Sequence, residues 1–120
     1  MPDVLLDTDV LIDHMRGRRH LVTDKTAVSV VTRSELFAGD ERHEAAVDEL
    51  LEDCEEIEVS PEIARRAGRI KRQTGLQIAD AMIAATALEH GLPLMTRNRR
   101  HFERVAGLEL RTPTEPAKQP

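Results

Sequence analysis

Apolar residues fall along this chain in short blocks whose spacing switches repeatedly between that of a strand and that of a helix. Val4-Leu5-Leu6 is a continuous apolar run ending at Asp7, which predicts a buried strand; Val10, Leu11, Ile12 and Met15 then recur at helical spacing up to Gly17. The β-branched stretch Ala27-Val28-Ser29-Val30-Val31 predicts a second strand, and Thr32 to Gly39 a helix that opens on a capping-type residue and stops at glycine. From His43 to Asp53, Ala46, Val47, Leu50 and Leu51 form a helical stripe with acids outside it. Ile57-Glu58-Val59 alternates like a strand, and Ser60-Pro61 starts a helix carrying Ile63, Ala67 and Ile70 as far as Gly75. An alanine-rich helix opens at Ile78-Ala79-Asp80 and ends at His90-Gly91; Leu92 to Met95 and Leu108 to Leu110 read as two last strands. Strands alternating with helices predict a parallel sheet covered on both faces, with sites beyond the carboxyl ends of its strands.

The length of 120 residues allows one core, so a single domain over residues 1–112 has to carry any site, followed by a disordered tail at 113–120 that is rich in proline. Ala81 to Leu88, the most apolar stretch, is too short to span a bilayer, and the start of the chain lacks a basic secretory leader. A cytoplasmic protein with no membrane association is expected. The lone Cys54, set among acids, forms no internal disulfide and reads as a solvent-facing bystander. A formal net charge of -5 gives no bulk attraction for polyanions, and two phenylalanines with no tyrosine or tryptophan leave no stacking platform for bases. A nucleic-acid partner would be held by its phosphates.

Three acids stand where strand meets helix. Asp7 follows the first strand, Glu35 lies in the helix after the second, and Asp80 opens the alanine-rich helix. On a parallel sheet these positions share one edge, where a few carboxylates can hold Mg²⁺ or Mn²⁺ with water filling the remaining positions. Such an ion suits phosphodiester hydrolysis, by polarising the phosphate and activating a water. Each acid taken singly is also explained as a helix cap or dipole partner, Asp80 above all.

The set is more specific than its parts. The segments Leu5-Leu6-Asp7-Thr8-Asp9-Val10-Leu11-Ile12, Ser34 to Gly39, Ile78 to Ala85, and Leu94-Met95-Thr96-Arg97-Asn98, in this order, resemble the PIN-domain family and most closely its VapC-type toxins. The resemblance runs to about Leu110 and implies a three-layer α/β/α sandwich with a five-stranded parallel sheet. It further implies a Mg²⁺-dependent endoribonuclease, the toxin of a type II toxin-antitoxin pair, neutralised by a small antitoxin protein and paired as a homodimer. Asp7, Glu35 and Asp80 match the family's main acidic, metal-holding positions, and Thr8 and Thr96 its small hydroxyl residues. Asn98 stands where many relatives carry aspartate, so it counts as a catalytic position without a charge. Asp9 can supplement the site, whereas Asp13 reads as a surface residue.

Arg65, Arg69 and Arg72 share a helical face that reads as solvated surface. Arg97, Arg99 and Arg100 leave the strand end that carries the site and are the candidate RNA phosphate contacts. No zinc spacing is found among the five histidines. Two alternatives remain open. Asp7-Thr8-Asp9-Val10 also resembles the nucleophile motif of haloacid-dehalogenase-type phosphatases, although the acidic pair those enzymes carry late in the chain is missing after Met95. A degenerate PIN-like module that only binds a partner is the other.

Overall fold

The computed structural model describes residues 1–17 and 25–113. It contains strands β1 (Val4–Leu6), β2 (Thr26–Ser29), β3 (Glu55–Ile57), β4 (Leu94–Met95) and β5 (Leu110–Arg111). Between them run helices α1 (Thr8–Met15), α2 (Val30–Phe37), α3 (Glu44–Glu52), α4 (Pro61–Thr74), α5 (Ile78–His90) and the short α6 (Arg99–Phe102). The strands form one sheet in the order β3-β2-β1-β4-β5 with parallel pairing throughout.

Alternation along β1 divides the molecule into three layers. Val4 and Leu6 join Val28 and Met95 under α1, α2 and α3, through Val10, Leu11, Leu36, Val47 and Leu51. Leu5 and Ala27 face the other way, under α4, α5 and α6, against Ile63, Ala67, Ile70, Ala84, Ala85 and Phe102. This is the three-layer α/β/α sandwich with a five-stranded parallel sheet. The alanines of α5 let it lie close on α4, and its buried row Ala81, Ile83, Ala84, Ala85 and Ala87 explains the alanine-rich segment as packing.

Helix boundaries follow the caps more closely than the propensities. Ser29 Oγ accepts from Val31 N–H at 3.1 Å, so α2 starts at Val30, and the β-branched pair Val30-Val31 that reads as strand belongs to the helix. Ser60 caps Ile63 N–H at 3.1 Å with Pro61 in the first turn, as expected. Gly75 and Gly91 end α4 and α5 in the left-handed region, at φ 79° and 63°, where a side chain would be strained.

Three strand positions differ from the sequence reading. β3 pairs at Glu55–Ile57, not at the alternating Ile57-Glu58-Val59, because it is an edge strand: Glu55 and Glu56 point to solvent, and Val59 still packs on the core beyond the pairing. β4 is confined to Leu94–Met95, and β5 pairs at Leu110–Arg111, two residues later than its apolar start at Leu108. Cys54 is not solvent-facing. It is half-buried, receives a hydrogen bond from Thr26 Oγ1 at 3.4 Å and packs on the α3 side, and burial pushes its thiol pKa up. Of the expected tail, Pro113 is described and is buried; 114–120 lie outside the described residues. No helix among the described residues is long and apolar enough to cross a membrane.

Candidate active site

Strand order reverses direction beside β1: the chain builds outward from β1 through β2 to β3, then crosses to the other side for β4 and β5. The crevice at such a switch point lies beyond the carboxyl ends of β1 and β4. Asp7 and Thr96 sit at those two ends, with Asp7 N–H bonded to Met95 O at 2.9 Å.

Asp7 is 6% exposed. It caps α1, its Oδ1 accepting from Thr8 N–H at 2.9 Å, while its Oδ2 accepts from Thr96 Oγ1 at 2.9 Å. Two donors are not enough to offset its surroundings. Burial first, then repulsion from Asp9, and more weakly from Asp80, push its pKa up to about 7, against the lowering effect of Thr96 and Thr8. Burial also raises Asp9, opposed chiefly by Arg97 N–H and Thr96. Asp9 therefore belongs to the cluster: Thr96 Oγ1 lies 3.4 Å from its Oδ2 and Arg97 N–H 3.5 Å from its Oδ1.

Glu35 stands exposed in the second turn of α2, its Oε1 accepting from Thr8 Oγ1 at 2.6 Å. Thr8 has one hydroxyl hydrogen, so the fully buried Thr32, 3.0 Å away, donates to Thr8 as Thr8 donates to Glu35. Asp80 lies in the first turn of α5, but the N-cap is Gln77, and the Asp80 Oδ2 is 2.8 Å from His101 Nε2 on α6. The capping explanation of Asp80 does not match this geometry. Asn98 is exposed at the start of α6, its N–H donating to Thr96 Oγ1 at 3.0 Å.

The sequence-predicted residues Asp7, Thr8, Glu35, Asp80 and Thr96 thus stand at one edge of the sheet: Thr96 bonds Asp7, Thr8 bonds Glu35, and Asp80 is near enough to Asp7 to repel it. The arginines divide. Arg97 is tied to Asp13 Oδ1 at 2.7 Å, Arg99 donates to Leu110 O at 3.2 Å, and Arg100 is exposed. Asp13, expected at the surface, is only 4% exposed, because α1 turns it inward to meet Arg97. Sequence reasoning passed over Thr32 and His101 and gave Asp9 a minor place. Asp9 follows the cap by two residues and so shares its end of the helix, a signal the spacing did contain; the His101 contact crosses 21 positions and had no local signal.

Among the described residues, no group of three or more histidine, cysteine or acidic side chains stands placed to hold a metal ion. Mg²⁺ does not require one: it is commonly bound through one or two carboxylates and keeps several waters. Burial first, and then the charges of Asp9 and Asp80, oppose ionisation of Asp7, and a divalent cation beside it would favour the ionised form. The donor set fits such an ion.

The PIN domain model matches residues 4–108, and the chain belongs to the PIN domain family. Within it, the chain is 36% identical over 109 residues to ribonuclease VapC1 of Methanocaldococcus jannaschii, covering 85% of this chain and 80% of that protein. It is 30% identical over 124 residues to the tRNA(fMet)-specific endonuclease VapC of Salmonella typhimurium, covering 88% and 94%. Among solved structures it superposes with a TM-score of 0.81 on a chain of a toxin-antitoxin complex from Klebsiella pneumoniae, at 32% identity, covering 95% of this chain and all of that one. Family membership accounts for Asp7-Thr8-Asp9-Val10 without a phosphatase.

Proposed function

We propose that this protein is a divalent-metal-dependent endoribonuclease, the toxin of a type II toxin-antitoxin pair. The observation that carries the metal requirement is Asp7, buried at the switch point with its pKa pushed up to about 7 by burial and by Asp9 and Asp80. The relatives' names, ribonuclease and tRNA-specific endonuclease, support RNA as the substrate. Asp7 and Asp80 would hold Mg²⁺, or Mn²⁺ in its place, with Glu35 engaged directly or through water. When bound, the ion supplies the positive charge that polarises a phosphodiester and makes water nucleophilic near neutral pH.

The chain's own residues supply orientation and proton handling. Thr96 and the Thr8 N–H fix both oxygens of Asp7, so its direction is set before substrate arrives. Thr8 and Thr32 hold Glu35 through one oxygen, and Glu35, exposed, would take a proton from the attacking water. Asn98 contributes no charge and acts through hydrogen bonds from the rim. Of Arg97, Arg99 and Arg100 on the segment leaving β4, the exposed Arg100 would meet a phosphate flanking the cut, while Arg97 is engaged by Asp13 and Arg99 by Leu110 O.

The Klebsiella complex supports a small antitoxin as partner. An open groove of about 410 Å³ that includes Glu35, with Ile12, Met15, Leu36 and Ala46 as apolar lining and Arg16, Asp40 and His43 as polar lining, offers it a seat next to the site. Leu36 and Leu51 belong to the core on this side of the sheet, and Phe37 and Leu50 are partly buried against it. A homodimer completes the reading.

Cleavage of RNA by the purified protein should require Mg²⁺ or Mn²⁺, stop in EDTA, and leave 3′-hydroxyl and 5′-phosphate ends, because water attacks phosphorus without help from the ribose 2′-hydroxyl. Cyclic phosphate ends, or undiminished cleavage in EDTA, would refute it.

A further inference from the structure

Residues 96–101 form a continuous bracket around the acids. Thr96 holds Asp7 at 2.9 Å, the Arg97 N–H reaches Asp9 at 3.5 Å, the Arg97 guanidinium holds Asp13 at 2.7 Å, and His101 meets Asp80 at 2.8 Å. The first three acids come from the α1 side of the sheet and the last from α5 on the opposite side, so one short segment ties both layers to the crevice. Among the described residues, His101 is the hydrogen-bond partner that reaches Asp80.

We propose that His101 is a positioning residue: its Nε2–H holds one oxygen of Asp80 and leaves the other directed for an ion shared with Asp7. The role rests on the metal-dependent reading above. A carboxylate only accepts hydrogen bonds, so the ring carries its hydrogen on Nε2 whether neutral or charged, and the contact needs no titration to work. The donor is itself pre-organised. α6 is anchored by Phe102, 1% exposed, whose ring meets the imidazole edge-on at 5.4 Å, and by Asn98 N–H on Thr96. Asp80, by contrast, is a side chain in the first turn of a helix whose cap has no side-chain bond, and it would otherwise sample several rotamers. Partners that orient a metal-binding carboxylate in this way typically change metal affinity by roughly 10–100-fold when removed.

With side chains 39% and 25% exposed, the pair contributes little to folding, which separates positioning from structure. The test is calorimetric titration of Mn²⁺ into the metal-stripped full chain, with melting temperatures measured in EDTA. His101→Met keeps volume beside Phe102 but has no donor; His101→Gln keeps an N–H donor of similar reach. The expected result is Mn²⁺ affinity weakened about 10–100-fold in His101→Met and restored to within about threefold in His101→Gln, with both melting like the parent. Unchanged affinity in His101→Met overturns the proposal, and so does equal weakening in His101→Gln, since the donor would then not be the cause. If His101→Met does not fold, His101→Asn, polar but too short for the same contact, takes its place: weakened Mn²⁺ binding supports the role and unchanged binding overturns it. A parent that binds no Mn²⁺ at all overturns the metal reading itself, which is distinct from either failure of His101.

Discussion

Replacing Asp7 with asparagine should make the metal-free protein more stable while removing its activity. The folded pKa of Asp7 lies at about 7 against 3.8 for the free side chain, so ionising it costs folding free energy. The sign follows from the direction of the shift: a raised carboxyl pKa means the folded state holds a proton the unfolded chain has lost. The fold keeps full stability below about pH 4 and loses it progressively as pH rises to about 7, after which the loss is constant. At 1.36 kcal/mol per unit the ceiling is about 4 kcal/mol. The amide keeps the acceptor for Thr8 N–H and has to place its NH₂ against Thr96, whose hydroxyl can turn toward Asp9, 3.4 Å away. Imperfect burial of that group offsets about 1–3 kcal/mol. A net gain of about 1–3 kcal/mol is therefore expected at pH 7.5 in EDTA, or roughly 4–12 °C in melting temperature for a domain of this size. Urea denaturation of parent and variant at pH 5 and 7.5, in EDTA and in Mn²⁺, measures it. The advantage of Asp7→Asn should grow between the two pH values, and Mn²⁺ should stabilise the parent alone. A variant no more stable than the parent at pH 7.5, or an advantage that does not change with pH, would show that Asp7 is not the strained group.

Thr96→Val removes the hydroxyl that serves Asp7 and Asn98 together, so it should destabilise the fold by about 1–3 kcal/mol and weaken Mn²⁺ binding; a neutral effect in both assays contradicts the role of that hydroxyl. Arg100→Ala should lower the salt dependence of RNA binding to the Asp7→Asn protein by roughly one released counterion without a change in melting temperature, because Arg100 is exposed. Arg97→Ala should instead lower stability, since it leaves Asp13 buried without its guanidinium; an effect on RNA affinity alone would reverse that assignment. Light scattering after size exclusion should give the mass of a dimer, and a monomer at micromolar concentration would reject the homodimer.

The layer order, the parallel sheet and the placing of Asp7, Glu35 and Asp80 at one edge were legible in the sequence because each depends on a local pattern: an apolar run, a cap, a helical stripe. Boundaries were less so. Val30 and Val31 have strand propensity, yet one serine hydroxyl two residues before Val31 starts the helix early, since capping satisfies a backbone donor and propensity only biases it. Edge strands were misplaced by two residues for a related reason: β3 and β5 take their register from the backbone of one neighbour, and their outward residues are free to be charged.

What the sequence concealed is the way residues 96–101 use the acids. Read locally, Arg97, Arg99 and Arg100 are a uniform basic cluster suited to phosphates, and Asp13 is one more surface acid. The fold gives them different work, because the switch point sets the end of β4 directly beside the end of β1, so the residues leaving β4 face the first turns of α1. Arg97 there pairs with an acid outside the Asp7 cluster and acts on Asp9 more weakly, while among the described residues the cluster's hydrogen-bond donors are hydroxyl and backbone groups plus one imidazole on Asp80. A guanidinium placed directly on Asp7 would stabilise the fold and hold its carboxylate ionised, but it would also occupy the oxygens and the charge that an ion needs. The repulsion left among Asp7, Asp9 and Asp80 is consistent with a site that keeps its negative charge for a ligand, as functional sites commonly do at the expense of stability.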